Sequence, residues 1–234
     1  ENADEHALYL RTVNHWLGFK TKHPLTRHSW DYKGYTRTGA APMYAMLDEP
    51  EKALGQLQQY FDLYLYPNTF YLETGPVIET PLSSAAATQE LLIQSWGLKD
   101  YATDMIRLFP GVAKAWPEAR FDNLRAEGGY TVSAVWKEGA TRAFRITADR
   151  ERDLQLRYRG EVTDSISTTR GSLWQQAEKN GWQVIRVRLK VGESLVYGAA
   201  VQFKKPVPDA ERGRADFHFG RNRQCDGALN FEDN

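Results

Sequence analysis

The hydrophobic period of this chain changes near residue 117, and that change limits the folds open to it. Ahead of Trp116-Pro117, apolar residues recur every three or four positions, which places them on single helix faces. Ala3, Ala7, Leu10, Val13 and Leu17 form one such stripe, and Ala40, Met43, Tyr44 and Leu47 form another. Asp48-Glu49-Pro50-Glu51 reads as a cap followed by a proline-tolerant first turn, opening a helix that turns Leu54, Leu57, Phe61 and Leu65 inward. A further helix is expected from Thr80-Pro81 through Ala85, Gln89, Leu92 and Trp96, stopped at Gly97.

Beyond Pro117 the period is two. Tyr130, Val132, Ala134 and Trp136 alternate with Thr131, Ser133 and Val135, and Lys137-Glu138-Gly139 supplies a turn ahead of Phe144 and Ile146. Leu154, Leu156 and Tyr158 face away from Gln155, Arg157 and Arg159. Ile185, Val187 and Leu189 likewise face away from Arg186, Arg188 and Lys190, and Val191-Gly192-Glu193 turns into Leu195–Tyr197. Strands with one apolar and one charged face make an antiparallel sandwich wetted on its outside. A short helix over Ser172–Lys179 is expected to interrupt it. The fold class is therefore α+β: an all-α segment over residues 1–117, a β-sandwich over 118–205, and an irregular tail over 206–234.

Composition narrows the function. Thirty basic and thirty acidic side chains leave no net charge, against the basic excess that marks nucleic-acid binding. The apolar runs fall well short of the roughly 18 residues of a membrane span. A lone cysteine, Cys225, forms no intramolecular disulfide. His6, His15, His23, His28 and His218 make no H-x-x-x-H or H-E-x-x-H pattern, so no metal site is expected. Neither a G-x-S-x-G elbow nor a P-loop nor G-x-G-x-x-G occurs, so no organic cofactor is expected either.

The segment Thr69–Pro81 holds the strongest chemical candidate. Two carboxylates, Glu73 and Glu79, stand among aromatic residues just ahead of a helix. Free N–H groups at a helix start favour an ionised carboxylate, which suits Glu79 to a general base or a water-orienting role. Two carboxylates with ring faces beside them are what a glycosidase uses: an acid, a base, and platforms for sugars. Capping the helix is the competing role for Glu79, and a solvated loop charge the competing role for Glu73. Arg27-His28-Ser29-Trp30-Asp31 adds Trp30 as a ring and Asp31 as a further carboxylate, again with a solvated loop as the alternative. Tyr71 completes the set of substrate-binding candidates.

The run from Pro76 to Ser95 resembles a segment of family 95 glycoside hydrolases of the α-L-fucosidase type. There a phenylalanine-glutamine-isoleucine-aspartate-glycine-asparagine-phenylalanine-glycine stretch leads into a helix ending in leucine-leucine-glutamine-serine. Met43–Leu47 resembles the alanine-rich helix of that family, and Arg107-Leu108-Phe109-Pro110 with Ala115-Trp116 its leucine-proline segment. Leu124–Tyr130 resembles its leucine-arginine-alanine-arginine-glycine-glycine-phenylalanine strand. The resemblance implies an (α/α)6 barrel followed by a β-sandwich, and hydrolysis of a terminal α-L-fucoside or α-L-galactoside with inversion. Glu79 falls on the family's active-site aspartate, which positions the attacking water, so a base or base-orienting role is implied for it. Two departures stand out: glutamate replaces aspartate, and Thr80-Pro81 replaces glycine-asparagine.

A barrel of a dozen helices does not fit in the ~115 residues ahead of the sandwich, at roughly three turns per helix. The expectation is thus the last helices of a barrel with its closing sandwich, with the general acid and the earlier helices supplied by an upstream part of the same polypeptide. Glu1 in place of a methionine agrees with a processed boundary. The expected partner is an oligosaccharide or polysaccharide, with no nucleic acid and no membrane. Polysaccharide chemistry implies a secreted or periplasmic protein. The alternative, from another class, is a non-catalytic carbohydrate-binding or scaffold protein derived from such an enzyme.

Overall fold

The structure, a computed structural model, describes residues 3–18, 21–22, 29–30, 34–65, 71, 78–96, 103–161, 166–168, 173–177 and 181–198. The expected tail at 206–234 lies outside them. Helix α1 (Ala3–Gly18) is followed by a two-stranded ribbon of β1 (Thr21–Lys22) and β2 (Ser29–Trp30), and then by α2 (Gly34–Met46), α3 (Pro50–Tyr64) and α4 (Glu79–Leu92).

Helix α2 is central because its side chains are small. Ala40, Ala41 and Ala45 are buried with Tyr44, and Val13 of α1, Ala53 and Leu57 of α3, and Ala87 and Leu91 of α4 close around them. Polar ties fix the neighbours: His6 donates from Nε2 to the Leu47 carbonyl at 2.8 Å, and the Tyr44 hydroxyl donates to Asn14 Oδ1 at 2.7 Å. The cap of α3 differs from expectation. Glu49 occupies the N-cap with no side-chain bond, while Asp48 takes a left-handed conformation (φ 57°) that frees its carboxylate for another partner.

Helix α4 also ends earlier than its apolar spacing predicts. Ile93 is extended, and Ile93–Gln94 form strand β3, so Trp96 is not on the helix. The loop after Leu108 supplies the termination signal, because Phe109 and Gly111 donate their N–H groups to the carbonyls of Leu92 and Leu91 at 2.7 and 3.0 Å. Those carbonyls are the orphans of a helix end. A Cβ on Gly111 would lie 2.4 Å from the Leu91 side chain, so the approach requires glycine.

The remaining strands are β4 (Thr103–Leu108), β5 (Glu118–Ala126), β6 (Tyr130–Lys137), β7 (Ala140–Ala148), β8 (Arg152–Arg159), β9 (Ser167–Thr168), β10 (Leu173–Ala177), β11 (Trp182–Leu189) and β12 (Ser194–Tyr197). They form two five-stranded sheets, ordered β10-β11-β8-β4-β3 and β5-β6-β7-β12-β9. Among the described residues every strand pairing is antiparallel except β4 with β8. The alternating residues read from the sequence are the ones that meet between the sheets: Tyr130, Val132, Ala134 and Trp136 from one, Leu154, Leu156, Tyr158, Ile185, Val187 and Leu189 from the other. Glu138 and Gly139, both at positive φ, make the two-residue turn between β6 and β7.

Two expectations are corrected here. The segment expected as a helix at 172–179 is strand β10, held in register on β11 with Trp174 opposite Arg186. The sandwich also begins before residue 117, since β3 and β4 complete its first sheet. The two-residue alternation is weak in these strands: Arg107 lies buried with its guanidinium on the Trp96 carbonyl, and Gln94 donates to the Pro42 carbonyl.

Where the helices meet this sheet, Asp48 reaches the buried indole of Trp182, accepting from Nε1 at 2.9 Å, with the Arg159 guanidinium 3.4 Å from the same oxygen. Arg159 and Arg157 lie over the indole, 4.7 and 5.0 Å from its centre. Burial pulls the Arg159 guanidinium below its ordinary pKa, and Asp48 opposes that shift. Removing the acceptor leaves a buried indole N–H unsatisfied. Asp48→Ala is therefore expected to lower stability by about 1–3 kcal/mol in urea unfolding, and Asp48→Asn, which keeps an acceptor and tolerates positive φ, by less.

A second expectation concerns pH. Burial raises the Glu90 carboxyl above its ordinary value, with the Trp96 indole N–H and Arg107 opposing and Glu127 reinforcing the shift. The folded protein therefore favours neutral Glu90; this stabilisation is fully present below the unfolded carboxyl's pKa and lost as pH rises through the folded one. Glu90→Gln keeps an acceptor for Trp96 without the charge. Its thermal midpoint is expected to exceed that of the wild type at neutral pH and to converge with it in acid.

Candidate functional site

Helices α2 and α4 run in the same direction. Gly34, the first residue of α2, lies against Thr80, the second residue of α4, and one turn further on the hydroxyls of Thr38 and Ser83 are 2.7 Å apart. Helix α3 runs the opposite way, with Gln56 accepting from Arg37 at 2.8 Å and its last turn reaching the start of α2. The amino termini of two parallel helices thus share one end with the carboxyl terminus of a third.

Glu79 is the first residue of α4 and is exposed. Ile78 ahead of it offers no side-chain cap, so the first-turn N–H groups have a carboxylate beside them and the positive end of the helix dipole behind. Thr80 turns the other way and is fully buried. Its methyl fills the space where Gly34 has no side chain, and its hydroxyl has no hydrogen-bond partner. The side-chain direction of Glu79 follows from that of Thr80: adjacent helical residues point about 100° apart, so a buried threonine leaves the glutamate in solvent.

Tyr71 underpins this corner. Its hydroxyl accepts the Gly34 N–H at 2.8 Å, its ring stacks on Tyr60 at 6.0 Å, and Tyr64 lies tilted against it at 6.4 Å. An isolated bridge pairs it with Leu65, so the connection leaving α3 returns to the place where it departed. Tyr71 is buried, with its ring faces and hydroxyl occupied by protein groups. It shares the corner with Glu79 but stands beneath it. Trp30 contributes its backbone to β2, opposite Thr21. The Trp30 side chain, Asp31 and Glu73 lie outside the described residues. Thr38 and Ser83 belong to no motif; the signal for them is a hydroxyl at each of two positions that parallel helices bring together. Among the described residues no group of three or more His, Cys, Asp or Glu is placed to hold a metal ion.

An α-helical layer carrying an exposed carboxylate at a helix start, built onto a two-sheet sandwich, is the class of architecture found here. Comparison with known proteins gives its kinship. The family model described as "Glycoside hydrolase family 95, C-terminal domain" matches residues 102–196, the stretch from β4 to β12. Alpha-L-fucosidase 2 of Arabidopsis thaliana is 27% identical over 188 residues, covering 68% of this chain and 22% of that protein. The chain is similar to family 95 glycoside hydrolases, and the matched stretch to their carboxy-terminal domain. It spans about a fifth of the length of the curated relative it matches.

The corner rests on Gly34. A Cβ there would lie 2.4 Å from the Tyr71 hydroxyl and 2.5 Å from the Thr80 methyl, closer than real contacts allow. Gly34→Ala is expected to destabilise the helical layer by about 1–3 kcal/mol through overpacking, seen as a lower thermal midpoint with the near-ultraviolet signal of the clustered tyrosines reduced.

Proposed function

We propose that this chain is the carboxy-terminal part of a glycoside hydrolase that cleaves a terminal α-L-fucoside or related linkage with inversion. The observation that carries the reading is Glu79: an exposed carboxylate on the first turn of α4, at the end where two parallel helices begin. The similarity to Alpha-L-fucosidase 2 supports the substrate class, since that relative is named for it.

In this reading Glu79 holds the attacking water and takes its proton, or orients the group that does. The carboxylate is open to solvent at the helix start, where a water can reach it, and that access is what a base needs. The oxocarbenium-like transition state carries positive charge on the sugar ring, and a carboxylate on the water's face stabilises it. Inversion requires an acid about 6.5–9.5 Å away, on the leaving-group side. That acid is supplied by earlier helices of an (α/α)6 barrel in an upstream part of the same polypeptide, which also covers the outward faces of α1–α4. Glu73, Asp31 and Trp30 are secondary substrate contacts, and Tyr71 holds the corner under Glu79. No metal or organic cofactor enters the chemistry, and the site of action is outside the cytoplasm, in a secreted or periplasmic setting where such sugars are met.

The test is Glu79→Gln in the polypeptide that contains this chain, assayed by aryl release from 4-nitrophenyl α-L-fucoside. Hydrolysis is expected to fall about 10²–10⁴-fold, the usual contribution of a positioned acid–base group, with sugar affinity and thermal midpoint retained. Wild-type turnover in the variant would refute the assignment. Sugar affinity without aryl release in the wild type would replace it with a binding protein derived from such an enzyme.

A further inference from the structure

We infer that Tyr35 stands beside Glu79 across the α2–α4 seam and is a positioning residue for it, its phenol directing a hydrogen bond at the water the carboxylate holds. The inference rests on the proposed function for its chemical meaning, and on helix geometry alone for the juxtaposition.

The contact between Thr38 and Ser83, 2.7 Å between hydroxyl oxygens, fixes the register of the two parallel helices. Tyr35 lies three residues before Thr38 and Glu79 four before Ser83, so both rise toward the shared amino-terminal end by about 4.5 and 6 Å at ~1.5 Å per residue. At about 100° per residue, Tyr35 is turned roughly 60° from Thr38 on α2. Glu79 is turned roughly 40° from Ser83 on α4, in the opposite rotational sense. On two helices that face each other and run the same way, opposite senses lead to the same side of the seam. Gly34 and Thr80 provide the check: the same arithmetic sends both to the other side, and there they are found packed against each other with Tyr71.

Tyr35 and Glu79 therefore stand on one side of the seam, beside the Thr38–Ser83 pair, in which Thr38 is buried. Further along, the seam is covered where Trp16 of α1 packs on Gly39, with only 3.4 Å between the indole and the place a Cβ would take. Tyr35 is 52% exposed although it is a large aromatic residue on the most buried helix of the layer. Its ring gains little from the core of this chain. An exposed carboxylate with an exposed phenol beside it suits a neutral pyranose, whose hydroxyls present both donors and acceptors. The phenol is a donor fixed by two torsions, placed to hold the water on the carboxylate without adding charge.

Two measurements test this on the full chain. With 3-fluorotyrosine incorporated, the resonance of Tyr35 is assigned as the one absent in Tyr35→Phe, and Glu79→Gln is expected to shift it; an unchanged resonance overturns the juxtaposition whatever the fate of the proposed activity. L-fucose titration followed by saturation-transfer NMR is expected to show Tyr35→Phe weakening binding about tenfold, the loss of one hydrogen bond of ordinary strength. In the Glu79→Gln background, which keeps its own affinity, the same change is expected to weaken binding less than tenfold, because the phenol acts through the carboxylate. An equal tenfold loss in both backgrounds, with a lowered thermal midpoint, would show a merely structural role and overturn the inference. Binding unchanged in Tyr35→Phe overturns the inference alone. A wild-type chain that binds neither L-fucose nor L-galactose overturns it together with the proposed function.

Discussion

The helical layer and the sandwich are held in one relation by a carboxylate that had to leave its own helix to do so. Asp48 could have capped α3; instead it sits at φ 57°, and its side chain reaches the Trp182 indole and the Arg159 guanidinium. A left-handed aspartate costs less than most residues would, and the indole it satisfies is buried and flanked by two guanidinium groups. Two positive charges over one aromatic face call for an anion nearby, and Asp48 is that anion. The cap of α3 is left to its backbone and to Pro50 in the first turn. Local helix stability is exchanged here for the docking of two layers.

From that junction the rest of the helical layer follows. With α2 ending against the sheet, the small residues at 40, 41 and 45 let α1, α3 and α4 close around it, and the register of α2 then sets where its first residue falls. Gly34 meets Tyr71 and Thr80 at the far end, and the start of α4 is placed by that contact. Glu79 is exposed because Thr80 is buried. The candidate site is thus the free end of a lever whose fixed end is Asp48.

The sequence is most legible where one periodicity acts alone. Tyr130 to Trp136 and Leu154 to Tyr158 alternate cleanly, and each is found with the expected face inward. It is least legible where partners distant in sequence decide. Leu92 continues a helical stripe, yet the helix stops there because Phe109 and Gly111 supply its last hydrogen bonds. Leu173–Ala177 has a helix-compatible composition, and pairing with β11 overrides it. Glu79 is legible as a carboxylate beside a helix start, since charge and punctuation are local signals. Tyr35, Thr38 and Ser83 are not, because nothing in their own neighbourhoods says which residues of two helices will face each other. Tyr71 is a substrate-binding candidate by its company in the sequence, and in the fold its ring is buried against Tyr60 and Gly34.

The parallel pairing of β4 with β8 matches Thr103 with Asp153 and Arg107 with Arg157, about fifty residues apart in sequence. Strand β3 joins α4 directly to β4 at the sheet edge. The last helix is therefore spliced into the sandwich by its own backbone, as a thread is worked into a seam rather than glued across it. A pull on α4 loads the backbone pairing of edge strand β3 with β4, not a side-chain contact alone.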